Sequence, residues 1–155
     1  MVGTPNSSDG AALDSFLLPS SAPAAALSGL RLYHECVLGY ARFERWGEVA
    51  ACAAAQPSCA MAHLLHADFL QQSAGGVGPA GDAALAAAAA LKLDTRERGY
   101  LAALRATAAA DLAAAYAGWL AVVTASPTDL FAAKRGQFCC ILRGASADLL
   151  EIARR

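Results

Sequence analysis

Charge is scarce in this chain. Asp, Glu, Lys and Arg make up only 16% of its 155 residues, and the formal net charge is -1 at pH 7. Nucleic-acid binding draws on clustered Lys and Arg that displace condensed counterions, and this balance supplies no such footprint. The first basic residue is Arg31. The N-terminus therefore lacks both the charged start of a secretory signal and the Arg-rich face of an organellar transit peptide. Long apolar runs are missing too: residues 83–91 and 112–125 fall short of the ~20 residues that span a bilayer. The five cysteines are an odd number, and without an export signal they favour free thiols over a disulfide framework. The expectation is a soluble, cytoplasmic protein with no membrane span, no nucleic-acid partner and no cofactor.

Aromatic residues are sparse at 7%, yet hydrophobic residues reach 57%, a surplus that comes mostly from alanine. Alanine loses no side-chain entropy in a helix and lets neighbouring backbones approach closely, so thin, tightly spaced helices follow. Residues 1–24 carry Gly3, Pro5, Asn6, Gly10, Pro19 and Pro23, which punctuate the chain too often for a long helix and predict a flexible head. Within it, residues 13–18 are candidates for docking onto the rest. From residue 25 to 155 the sequence reads as one helical-repeat domain, with helices near 26–44, 46–56, 58–72, 80–93, 95–108, 110–125, 127–143 and 146–154. The stretch from Gly75 to Gly81 lacks the Lys-Ser/Thr ending of a phosphate loop and reads as a connector.

Several helix starts are spelled out. Asp94 and Glu97 form a capping-box pattern ahead of residues 95–108. Ser126-Pro127-Thr128-Asp129 predicts an N-cap serine with proline at the first helical position, Pro57 does the same for 58–72, and Ser146 with Asp148 opens the last helix. Pair boundaries recur after 37 residues from Pro57 to Asp94 and after 33 from Asp94 to Pro127, which bracket the 34-residue tetratricopeptide unit. Counting back from Pro127 puts the small residues Ala103 and Ala115 where two helices cross and Trp119 where a large side chain fills the gap to the next pair. The predicted fold is all-α: stacked antiparallel helical hairpins of the tetratricopeptide kind.

Three stretches carry a more specific resemblance: Gln56 to His63, Asp94 to Arg98, and Ala110-Asp111-Leu112 through Trp119 to Lys134. Together they resemble the N-terminal portion of the tetratricopeptide repeat protein 38 family. That resemblance implies a soluble repeat protein without established catalytic residues, and a chain that stops short of the further repeats its relatives carry. Gly136-Gln137-Phe138-Cys139-Cys140 departs from the pattern, because relatives tend to have His and aromatic residues there.

Candidate chemistry is thin. Cys59, His63 and His66 stand at i, i+4 and i+7, one face of a helix, and are the candidates for a metal site or a metal-dependent enzyme, with a fourth ligand to come from elsewhere, for instance His34 or Cys36. The same face bears Ala62 and Phe69, which favours packed histidines, so no metal is expected. Cys139 and Cys140 are adjacent, about 100° apart on a helix, and read as small hydrophobes. Asp68, Glu97, Asp111 and Asp129 read as caps or solvated residues rather than an acid–base pair. Lys134, Arg135 and Arg143 share one predicted helix and are the candidates for a groove that receives an acidic peptide. The functional expectation is a scaffold that binds a protein or peptide and catalyses nothing. At the C-terminus, Leu149, Leu150 and Ile152 form an apolar face with no repeat after it, which predicts self-association there.

Overall fold

A computed structural model of the chain describes Ala22 and residues 24–39, 47–73 and 78–155. The described residues form eight α-helices and no strand: α1 (Ala24–Gly39), α2 (Glu48–Ala55), α3 (Ala60–Ser73), α4 (Pro79–Ala89), α5 (Thr95–Ala108), α6 (Leu112–Ala125), α7 (Leu130–Arg143) and α8 (Ser146–Ala153). Each helix from α2 onward packs on its neighbours in chain order, so the architecture is the expected all-α stack of hairpins. The expected head, including residues 13–18, lies outside the described residues apart from Ala22 and Ala24. Residues 75–77 of the glycine-rich connector lie outside them too. Its last residues are not connector: Gly78 precedes α4, Pro79 takes its first position and Gly81 is helical.

The repeat is more even than the sequence spacing implied. The first helices of three hairpins, α3, α5 and α7, begin at Ala60, Thr95 and Leu130 and hold 14 residues each, a constant 35-residue step. Pro57 and Pro127 do not open helices. Cys59 N donates to Gln56 O at 2.9 Å and Asp129 N to Ser126 O at 2.9 Å, so each proline is the second residue of a tight turn, where its fixed φ belongs. The helices then start two residues later than predicted at α3 and three at α7, and at α7 the cap is Asp129, whose side chain accepts from Ala132 N at 3.0 Å. Glu97 N to Asp94 Oδ1 at 2.8 Å and Asp94 N to Glu97 Oε2 at 3.0 Å complete the capping box of α5 as expected.

Close helix crossing rests on small side chains. A Cβ added at Gly118 would meet that of Ala103 at 2.9 Å, so α5 and α6 cross at Ala103 on Gly118, and Ala115 is fully buried one turn earlier. Trp119 fills the next gap, edge-on to Tyr100 at 5.0 Å and to Phe131 at 6.1 Å. At the C-terminal end Ile152 is buried, its Cδ1 lying where a Cβ on Gly136 would stand. Leu149 also packs on the core. The face expected to be uncovered is thus mostly covered, because α8 turns it onto α7. The exposed apolar residues there are Phe138, Ile141 and Leu142 of α7 with Leu150 of α8.

The turns after α5 and α7 share one design. Asp111 N reaches Ala106 O at 2.9 Å across Ala110, and Ala145 N reaches Cys140 O at 3.0 Å across Gly144. Both central residues are left-handed, with φ 58° at Ala110 and 66° at Gly144. A Cβ in that region costs roughly 1–2 kcal/mol. Ala110→Gly is therefore expected to stabilise the chain by about 1 kcal/mol. Ala103→Leu, which overpacks the crossing, is expected to destabilise it by about 1–3 kcal/mol. Urea midpoints that move the same way for both variants would contradict the register of this hairpin.

Candidate functional site

The inner faces of α3, α5 and α7 repeat with the 35-residue step, which brings Leu65, Tyr100 and Arg135 to one register. All three are buried. Two residues after the cap of α7, Phe131 is the centre of an aromatic cluster. Tyr100 stacks on it at 5.5 Å and 12°, while Tyr33 and His34 of α1 lie tilted at 6.0 and 5.3 Å. The Arg135 guanidinium sits 5.3 Å from the ring centre, within cation–π range.

Two Tyr–Asp–Arg sets flank this cluster. In the first, Arg96 Nε donates to Asp129 Oδ2 at 2.6 Å and the Tyr100 hydroxyl donates to both carboxylate oxygens at 2.9 and 3.0 Å. This ties α5 to the start of α7. In the second, the Tyr33 hydroxyl and Arg135 Nη2 both donate to Asp68 Oδ2, which joins α1, α3 and α7. Burial pushes the Tyr33 phenol well above its ordinary 10.0, and the Asp68 carboxylate adds to the rise against Arg135. Tyr100 is raised likewise by burial and by Asp129, against Arg96. Both phenols therefore stay protonated and act as donors. Burial pulls on the Arg135 guanidinium, but Asp68 and Tyr33 outweigh it and hold its pKa above normal. The Arg135 Nε atom is buried and has no hydrogen-bond partner among the described residues.

α1 covers this face. It touches α2 and α3 in order, then skips to α7, and its buried side holds Ala26, Leu30, Tyr33 and Val37 in one row with Leu27, Leu32 and His34 flanking it. The expected peptide-binding trio does not assemble. Arg135 is under α1, paired with Asp68, and is no solvated groove residue. Arg143 faces the other way, 3.1 Å from Asp148 of α8 and over the Tyr116 ring of α6 at 5.6 Å. Lys134 is half-buried. Helix phase is the reason: residues 134, 135 and 143 stand at different angles around α7. Asp68, read as a cap or solvated residue, is likewise a buried ion-pair partner.

The Cys59, His63 and His66 face does not converge either. Cys59 precedes the first turn of α3 and is buried, its thiol pushed up by burial. His63 turns back so that Nε2 lies 3.0 Å from Pro57 O. His66 is pulled below its ordinary pKa by partial burial and by His63. No group of three or more His, Cys, Asp or Glu side chains among the described residues is placed to hold a metal ion. Cys139 and Cys140 are buried free thiols, and burial pushes Cys139 up to about 11, which keeps it protonated and unreactive. Two surface crevices, of about 460 Å³ between Asp94 and Ser126 with Arg96 in its lining, and about 480 Å³ along Leu150 and Arg154, are lined by none of Tyr33, Asp68, Phe131 and Arg135.

No protein-family model, curated protein or solved structure matches this chain. No helix among the described residues is long and apolar enough to cross a membrane.

What sequence reading missed is the Tyr33–Asp68–Arg135 set. Its signal was an acid on the apolar stripe of Leu64, Leu65 and Ala67, with no basic residue one turn away on either side. Arg135→Met leaves the Asp68 carboxylate buried without its counter-charge and is expected to cost about 3–5 kcal/mol. Adding Asp68→Leu is expected to recover most of that. A double-mutant cycle from urea midpoints checks it, and additive costs would mean that the pair is not coupled.

Proposed function

We propose that this chain is a tetratricopeptide-type helical scaffold that binds a protein or peptide partner and carries out no catalysis of its own. The observation that supports it is the inner face of α3, α5 and α7. There a regular helix-pair repeat aligns Leu65, Tyr100 and Arg135 around Phe131, and a helix of the same chain lies across them. Repeat stacks of this kind present extended surfaces for ligands, and a row of aromatic and charged groups at one register is what helix-in-groove recognition uses. Kinship with the N-terminal portion of the tetratricopeptide repeat protein 38 family belongs to the same proposal, as does residence in the cytoplasm, where free thiols like Cys52, Cys59, Cys139 and Cys140 persist. Selection of displayed helical peptides on the immobilised full chain tests the reading. The expected result is convergence on a shared motif whose synthetic peptide binds in solution, and selections that never converge would sink it.

The second part of the proposal is self-association at the C-terminal hairpin, favoured by the exposed Phe138, Ile141, Leu142 and Leu150. Light scattering over a concentration series is expected to find mass rising with concentration for the native chain and not for Ile141→Lys, Leu142→Lys. A native chain that stays monomeric throughout would remove this part.

A further inference from the structure

We propose that the inner face of α3, α5 and α7 is a helix-binding groove in which α1 is the resident occupant. Its partner is an amphipathic helix with a tyrosine in the place of Tyr33 and a carboxylate that reaches Arg135 Nε. This rests on the scaffold reading above and names the ligand class and its competitor.

Three observations carry it. First, besides packing on α2 in chain order, α1 bridges α3 and α7, and its buried side holds the row Ala26, Leu30, Tyr33 and Val37, flanked by Leu27, Leu32 and His34, while Ala25, Arg31 and Glu35 are exposed. Spacing of i, i+4, i+7 and i+11 on one buried face is how a bound amphipathic helix lies in a groove. Second, the contact has a polar centre. Tyr33 and Arg135 share Asp68 Oδ2, so withdrawal of α1 returns Asp68 and Arg135 to water together and strands neither charge. Third, α1 is an incomplete occupant. The Arg135 side chain is about 90% buried, yet its Nε has no hydrogen-bond partner among the described residues. An arginine fork is matched best by two oxygens, and a buried donor left unserved is a penalty that a better ligand removes. A helix that keeps the phenol and adds a carboxylate would therefore outcompete α1 for the same face.

The test uses the full chain and a fluorescent peptide with the sequence of residues 24–39. Anisotropy titrations are expected to find at least tenfold tighter uptake by Tyr33→Ala than by wild type, because its own α1 competes less well. A peptide with the same Tyr→Ala change is expected to bind neither. In a series of peptides with one Glu placed in turn at positions 26–37, at least one is expected to bind tenfold tighter than the parent, and Arg135→Lys, which keeps Asp68 paired but removes Nε, to abolish that gain. Tyr33→Phe, which keeps the ring on Phe131 and drops only the hydroxyl contact, serves if Tyr33→Ala does not fold by circular dichroism. Hydrogen exchange on wild type is decisive by itself: α1 amides are expected to exchange at least tenfold faster than those of α5 and α6. Equal protection, or no peptide uptake by a folded Tyr33 variant, would make α1 a fixed part of the core and overturn the inference. Selected partners that bind while α1 stays protected overturn it and keep the scaffold reading. Uptake of the α1 peptide with no selectable partner does the reverse.

Discussion

The Asp129 carboxylate is the point on which the stack depends. It is fully buried, and it accepts from Ala132 N, Tyr100 Oη and Arg96 Nε. One side chain thereby ends the turn after α6, starts α7 and fixes α7 against α5. An isolated carboxylate at this depth would be ruinously expensive, and the backbone N–H, the phenol and the guanidinium together make it tolerable. Because Asp129 sets where α7 begins, it also sets where Phe131 points, and the aromatic cluster of Tyr100, Trp119, Tyr33 and His34 is arranged around that ring.

The second carboxylate set works at longer range. Asp68 and Arg135 are 67 residues apart and Tyr33 is 35 residues before Asp68, so this contact reaches across intervening helices of the stack. It draws together the two ends of the described stack, where the Asp129 set joins neighbours. One clamp thus holds adjacent hairpins together and the other ties the first described helix to α3 and α7.

Fold class was legible in the sequence because it depends on local signals: alanine-rich segments, the Asp94 and Glu97 capping box, and the recurring turns. The helix starts near Pro57 and Pro127 were misplaced by two and three residues because proline suits a turn's second position as well as a helix's first, and at Pro127 only Asp129 and its bond to Ala132 N separate the two. Of the candidate site, Trp119 was placed in advance as a gap-filling side chain, but Tyr33, Tyr100 and Phe131 and the carboxylate partners were not. Arg135 reads as a surface cation until Asp68 and α1 are folded onto it, and no spacing rule reports a pairing over that many residues. Lys134 and Arg143 share its helix, but α7 turns them to other neighbours.

Gly136 and Ile152 occupy one volume. A Cβ at 136 would stand 2.0 Å from Ile152 Cδ1 and 3.4 Å from Trp119 Cβ, so the notch in α7 and the side chain of α8 that fills it are two halves of a single part. Substitution at either position is constrained by the other: a methyl group at 136 is tolerated where 152 has shrunk, and a smaller 152 beside glycine leaves a void. The two positions are therefore physically coupled, and a change at one is best accommodated by a size change of opposite sign at the other.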